Sequence, residues 1–98
     1  MKIKKTQNGT HLEIALEGRL DTTTSPELEK SLQESLSGVA DLVMDLSGLE
    51  YVSSAGLRVL LSTQKQMMKQ GPMKVTHVNE TVAEIFEVTG FVDILTIE

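Results

Sequence analysis

The sequence predicts a small α/β domain in which a mixed, mostly parallel β-sheet packs against about three helices. Two observations predict it: some stretches alternate apolar and polar residues with a period of two, and others repeat apolar residues at helical spacing. The two kinds of stretch follow one another as β-β-α-β-α-β-α-β, which is typical of an α/β sheet. The 98 residues suffice for one domain, residues 1–98, with a single core.

The first two strands are predicted to form a hairpin. Apolar residues alternate with polar ones between residues 11 and 17, which indicates a half-buried strand that Gly18 closes. Asn8-Gly9 is a strong signal for a two-residue hairpin turn, so residues 1–6 are predicted to be the antiparallel partner. This hairpin makes the sheet mixed rather than purely parallel.

A helix and a central strand follow. Ser25-Pro26-Glu27 places a capping hydroxyl, a proline and an acid at a helix start, and Gly38 can end that helix. Residues 42–44 form a short continuous apolar run, which suits a strand covered by helices on both faces. Residues 46–52 are predicted to be a loop.

The second helix is predicted to be capped by Ser53 or Ser54 and to end at Gly71-Pro72. Both Met67 and Met68 are expected in its apolar face and so in the core.

The C-terminal part is predicted to contain a strand, a short helix and a final strand. Met73 and Val75 alternate with polar residues as a strand, and the helix begins at a cap, either Asn79 or Thr81, the latter with Glu84 as a capping box. Gly90 stops this helix, and residues 91–97 are predicted to be the last strand.

Composition excludes several functions. With 14 acidic against 9 basic residues, net charge −5, a nucleic-acid partner is not expected, because phosphate binding depends on clustered Lys and Arg. The absence of Cys removes disulfides, thiolate zinc sites and thiol catalysis. We expect neither a metal nor a cofactor. No membrane insertion is expected, because no apolar run approaches the ~20 residues of a membrane helix. The expected location is the cytoplasm.

The segment from Asp45 to Arg58 carries the most chemical information, because small residues crowd the junction between a strand and a helix start. A phosphate-cradling loop would need a lysine there, and none occurs between Lys30 and Lys65. A nucleophilic serine would need a base and an elbow motif, but Gly-x-Ser-x-Gly is absent and the chain has two His in all. We therefore predict that the protein is not an enzyme.

Two interpretations of the adjacent serines remain open. In the first, Ser53 and Ser54 cap the helix while Ala55 and Gly56 permit close packing. In the second, a serine is itself modified, as a phosphorylation site exposed at a helix start.

Two motifs in this sequence resemble those of a known family. Asp45-Leu46-Ser47 is followed by Tyr51-Val52-Ser53-Ser54-Ala55-Gly56-Leu57, and Gly18-Arg19-Leu20-Asp21 precedes both. Over nearly the whole chain this pattern resembles the STAS domain, specifically the bacterial anti-sigma factor antagonists.

The resemblance implies partner switching. The unphosphorylated protein would bind an anti-sigma factor that is also a serine kinase and so release a sigma factor, and phosphorylation would reverse this. By its position in the motif, Ser54 is the implied phosphoacceptor. Members of the family often have Asp immediately before this serine. Here Ser53 takes that place, so two hydroxyls are adjacent and Ser53 is the second choice. A phosphoserine phosphatase would restore the active form.

The partner surface is predicted to consist of the motif residues, with Asp21 from the earlier turn. Asp21 can equally be a plain turn acid. The predicted contact residues are Asp21, Ser53, Ser54, Ala55, Gly56, Leu57 and Arg58. The alternative function is a non-switching STAS-like structural subunit of a larger complex, such as a lipid-transport or signalling assembly, in which Ser54 only caps its helix.

Overall fold

Five strands and three α-helices alternate along the chain in the predicted order, and the computed structural model describes residues 1–98. The strands are β1 (Lys2–Asn8), β2 (His11–Leu20), β3 (Asp41–Val52), β4 (Met73–Thr76) and β5 (Thr96–Ile97). The helices are α1 (Ser25–Ser35), α2 (Ser54–Met67) and α3 (Glu80–Thr89), followed by the 3₁₀ helix Phe91–Asp93. The strand order is β1-β2-β3-β4-β5, in which β1 and β2 are antiparallel and all other neighbours are parallel. The predicted fold class is confirmed.

The core lies on one face of the sheet. Strand order follows chain order without reversal, so crossovers of the usual right hand bring all three helices to the same side. In β2 and β3 the buried residues alternate with exposed or half-buried ones, and the 22 buried apolar residues form a single cluster. The prediction that helices cover the central strand on both faces is wrong.

The other face of the sheet is polar and open to solvent. His11 Nδ1 lies 2.8 Å from Asp41 Oδ2 across β2 and β3, and Lys74 Nζ lies 3.4 Å from Glu98 Oε2. Such partly exposed ion pairs add little to stability, whereas the 22 buried apolar residues form the core on the other face.

Strands β2 and β3 are longer than predicted. β2 continues through Gly18, at φ +101°, to Leu20, and β3 continues through the predicted loop of residues 46–52. Two register shifts, each with one extra residue in β3, keep the strands paired as far as Leu20 opposite Val52. The predicted loop is therefore a bulged strand, because β2 provides hydrogen-bond partners for its backbone.

The hairpin turn is shifted by one residue from the prediction. Asn8 pairs with His11, so Gly9 and Thr10 are the central turn residues. Gly9 has φ +65°, the positive value that glycine tolerates at the first central position of a type II′ turn.

The boundaries of α1 and α2 differ from the predictions. α1 ends at Ser35, before Gly38, and its N-cap Thr24 makes no side-chain capping bond. α2 ends at Met67, before Gly71. Met67 is fully buried, as predicted. Met68 is 75% exposed, contrary to the prediction, because it is the C-cap residue of α2 and its side chain faces away from the sheet.

The C-terminal region confirms the helix and its stop but not the final strand. Asn79 caps α3 by accepting from Val82 N at 2.9 Å, so Thr81 lies inside the helix and the predicted capping box with Glu84 is wrong. Gly90 ends α3 in the left-handed conformation. The predicted strand over residues 91–97 is mainly a 3₁₀ helix followed by the two-residue strand β5.

Candidate functional site

The two sequence motifs meet at the carboxyl edge of the sheet. Leu20 and Val52 are paired at the ends of β2 and β3, and the chain turns away immediately after each. Ser53 N donates a hydrogen bond of 2.8 Å to Leu20 O, which ties the start of α2 to the turn that begins at Asp21. This edge of the sheet, residues 19–24 with residues 51–58, is called the switch edge below.

Gly56 allows the first turn of α2 to approach β2 closely. A Cβ atom at this position would lie 2.7 Å from Leu20 Cγ, closer than real Cβ atoms approach, and 3.0 Å from Leu20 O, which is also tight. The predicted role of Gly56 in close packing is confirmed.

The adjacent serines occupy different environments. Ser53 is the N-cap, with φ −86° and ψ 174°, and its half-buried Oγ accepts from Gly56 N at 3.3 Å. Ser54 is the first residue of α2 and its side chain is exposed. A negative charge on Ser54 would meet the positive end of the helix dipole and amides that lack a carbonyl one turn earlier.

Asp21 organises the turn beside these serines. Its Oδ1 accepts from Thr23 N at 3.0 Å and from Thr24 N at 3.1 Å, and Thr24 Oγ1 donates to Arg19 O at 2.7 Å. The backbone hydrogen bond from Thr24 is the main cause that lowers the pKa of Asp21, and partial desolvation opposes it. Asp21 is thus a turn acid, as the plainer interpretation predicts, and it lies at the switch edge.

The predicted contact residues divide into accessible and buried ones. Gly56 is buried and Leu57 is only 7% exposed within the hydrophobic core, so both support the surface from below. Ala55 is half-buried. Arg58 is exposed and forms no ion pair within the chain, which leaves its guanidinium available.

Sequence reasoning missed one contact at this edge. Arg19 lies over the ring of Tyr51, with its guanidinium carbon 4.5 Å from the ring centroid, a cation–π arrangement. The two residues are opposite each other in the β2–β3 register. The motif Gly18-Arg19-Leu20-Asp21 could have drawn attention to Arg19. Its contact with Tyr51, however, depends on the two bulges that set the register of β2 and β3.

The switch edge lacks the features of an enzymatic site. His77 Nδ1 lies 3.3 Å from Asp45 Oδ1 and His11 pairs with Asp41, so neither histidine contacts Ser53 or Ser54. None of the surface pockets is lined by Asp21 or by residues 53–58. Because the strand order never reverses, the sheet has no crevice of the kind that holds ligands in doubly wound folds. The edge is an open surface on which Ser54 and Arg58 are exposed.

No three His, Cys, Asp or Glu side chains are grouped so that they could hold a metal ion. None of the helices combines the length and apolar character required to cross a bilayer.

The comparisons with known proteins agree with the motifs. The family model of the STAS domain matches residues 2–98. The chain belongs to the STAS domain family. BtrV of Bordetella bronchiseptica, a candidate anti-sigma factor antagonist, is 33% identical over 99 residues, covering 99% of this chain and 85% of the relative. The anti-sigma-B factor antagonist of Bacillus subtilis is 32% identical, covering 93% of this chain and 84% of the relative.

Two solved structures of SpoIIAA share this fold. The anti-sigma factor antagonist SpoIIAA in its unphosphorylated form superimposes with a TM-score of 0.83 at 14% identity, covering 99% of this chain and 88% of that one. The phosphorylated form of the Bacillus protein SpoIIAA gives a TM-score of 0.74 at 13% identity, covering 99% and 91%. The two relatives above 30% identity are both named as antagonists and neither as an enzyme, in agreement with the prediction that this STAS domain is not an enzyme.

Proposed function

We propose that this STAS domain is an anti-sigma factor antagonist whose binding to an anti-sigma factor serine kinase is controlled by phosphorylation of Ser54. The main observation in support is that Ser54, the first residue of α2, exposes its hydroxyl at a surface without a pocket. The names of the two relatives above 30% identity support the antagonist function. Because a partner of this class would act in the cytoplasm, the proposal includes a cytoplasmic location.

The contrast between the two serines supports Ser54 as the acceptor. Ser53 Oγ is already bonded to Gly56 N and half-buried, so its phosphorylation would remove a helix cap. Ser54 can enter a kinase active site without a change in the fold.

A phosphate on Ser54 would alter binding without unfolding the domain. It adds about −1.5 to −2 charge, which the dipole of α2 favours and which Arg58, four residues later on the exposed side, can pair with. In a complex the same dianion would be desolvated against the partner or would meet an acidic group there. A mispaired buried interfacial charge costs about 2–5 kcal/mol, roughly 30- to 4000-fold in affinity.

The experiment uses Ser54→Ala and Ser54→Asp proteins as baits in a lysate of the source organism, with mass spectrometry of the retained proteins. We expect an ATP-binding anti-sigma factor kinase on the alanine bait and its loss from the aspartate bait. The recovered partner is then titrated with both variants, and Ser62→Asp, which adds the same charge at another exposed position of α2, is the matched control.

Two results would refute the proposal. If Ser62→Asp weakened binding as much as Ser54→Asp, the effect would be general repulsion rather than a switch at Ser54. If Ser54→Asp lowered the unfolding free energy by more than about 0.5 kcal/mol, the usual limit for a surface change, lost binding would reflect lost structure.

The second candidate is the non-switching structural subunit. It is favoured by the complete set of caps and turns at the switch edge, in which Asp21, Ser53 and Gly56 all have structural roles. Retention of the same proteins by both baits would select it, and no phosphatase would then be required.

A further inference from the structure

We propose a second docking surface on the outer side of α3, which binds a basic amphipathic helix of a protein partner. A shallow groove there is lined by Thr81, Glu84, Ile85, Val88 and Thr89, and these five residues are called the α3 groove. They repeat at spacings of three and four, so they share one face of the helix.

The α3 groove contains two apolar side chains, Ile85 and Val88, on the side of the helix that faces solvent. Val82 and Phe86, on the inner side of α3, are fully buried, whereas Val88 is 82% exposed. Val92 and Ile94 follow at 43% and 42%, so three of the four exposed large hydrophobic side chains of the protein lie between residues 88 and 94. A concentration of this kind is typical of an interaction surface rather than of scattered surface residues.

The charge around the groove determines what it can bind. Residues 1–74 contain nine basic and nine acidic residues, whereas residues 75–98 contain five acidic residues and no Lys or Arg. The whole net charge of −5 therefore arises from this C-terminal part. Four of its acids have no ion pair within the chain: Glu80, Glu84, Glu87 and Asp93. Such a surface attracts Lys and Arg and repels nucleic acid and anionic lipid.

The shape of the groove favours a helix as the occupant. Side chains at i, i+3, i+4, i+7 and i+8 form ridges between which the apolar ridge of another helix can lie. Thr89 Oγ1 donates to Ile85 O at 2.7 Å within α3, so this hydroxyl needs no partner from the ligand. Glu84 remains as the charged group beside the two apolar anchors Ile85 and Val88.

The α3 groove is separate from the switch edge. α3 connects the parallel strands β4 and β5, so it begins at the carboxyl edge, where the Asn79 side chain donates to Leu49 O. It then runs back toward the amino edge, which places Val88 at the end remote from Ser54. Val88 and the exposed apolar residues that follow it therefore lie away from the switch edge.

The test is an NMR titration of the full chain with a designed peptide of Leu and Lys, long enough for about four helical turns. We expect amide shift changes confined to residues 81–94, equal in the wild type and in Ser54→Asp. Val88→Lys should weaken the affinity at least about tenfold, whereas Ser62→Lys, which adds the same charge on α2, should leave it unchanged. A peptide with Glu for Lys, and one with Ser for Leu, should each bind at least about tenfold more weakly.

Other outcomes would overturn the proposal. Shift changes spread over the exposed acids of α1, or equal binding of the Lys and Ser peptide, would show charge attraction without a built groove. A concentration-dependent dimer in sedimentation velocity that Val88→Lys abolishes would show that a second copy of the chain covers the groove.

The test also separates this proposal from the proposed switch at Ser54. If the peptide bound the wild type and Ser54→Asp equally and the baits recovered no kinase, the docking surface on α3 would be supported and the proposed switch would be refuted.

Discussion

The two ends of the helical layer present opposite kinds of surface. At the switch edge, backbone and side-chain hydrogen bonds hold Asp21 and Ser53 in place, whereas the exposed side chain of Ser54 makes no hydrogen bond within the chain. At the far end of α3 the surface exposes apolar side chains, of which Val88 is the most exposed. The acidic residues there, Glu87 and Asp93, form no ion pair within the chain. The difference teaches that one small domain can place a hydrogen-bonded polar surface at one end of its helical layer and an exposed apolar surface at the other.

The largest expected effect tests whether the two faces of α3 have separate roles. Phe86 is fully buried and stacks with Phe91 at 6.4 Å between ring centroids, so Phe86→Ala should lower the unfolding free energy by about 3–5 kcal/mol. Val88→Ala, on the exposed face, should change it by less than about 0.5 kcal/mol. Urea denaturation followed by circular dichroism measures both. Comparable losses would mean that the outer face also supports the fold.

The next effect concerns what holds the switch edge in place. Gly56→Ala forces a methyl group against Leu20, and we expect a net loss of about 1–2 kcal/mol, since overpacking outweighs the better helix propensity of Ala. Leu20→Ala creates space there, so the double variant should lose less than the sum of the two single changes. Strict additivity in thermal unfolding would contradict the close contact.

A smaller effect distinguishes the adjacent serines. Ser53→Ala removes the N-cap of α2 and should destabilise the protein by about 1 kcal/mol, while Ser53→Asp, also a good cap, should not. Ser54→Ala should stay within about 0.5 kcal/mol of the wild type. Urea denaturation of the three variants would reveal the reverse order if Ser54 were the true cap.

The smallest expected effect is the pH dependence that Asp21 contributes. Its pKa is lowered from the ordinary value of 3.8, so its charge stabilises the folded state above that pH and the contribution is lost as the pH falls further. Asp21→Asn keeps an oxygen acceptor for Thr23 and Thr24 but no charge. The wild type should melt at a higher temperature than this variant near neutral pH, and the gap should close in acid. A gap that is constant with pH would mean that the charge has no such role.

Much of the switch edge could be predicted because its signals are local. A serine before a helix, small residues after it and an acid at the start of a turn each act within a few residues, and Ser53, Gly56 and Asp21 occupy those roles. The Arg19–Tyr51 contact could not be predicted, because it depends on a strand register set by two bulges. The burial of Leu57 likewise depends on which side of α2 faces the sheet.

The sequence by itself determined the order of the elements, the hairpin, the end of α3 at Gly90 and the family, because periodicity, turn residues and motifs are local properties of the chain. Only the tertiary structure decided that residues 46–52 are strand, since their backbone is paired with β2, a segment distant in sequence. It also decided that the helices share one face and that Met67 is buried while Met68 is exposed. These outcomes depend on which distant surfaces meet, and burial of apolar area against a particular partner outweighs the local preference of any one segment.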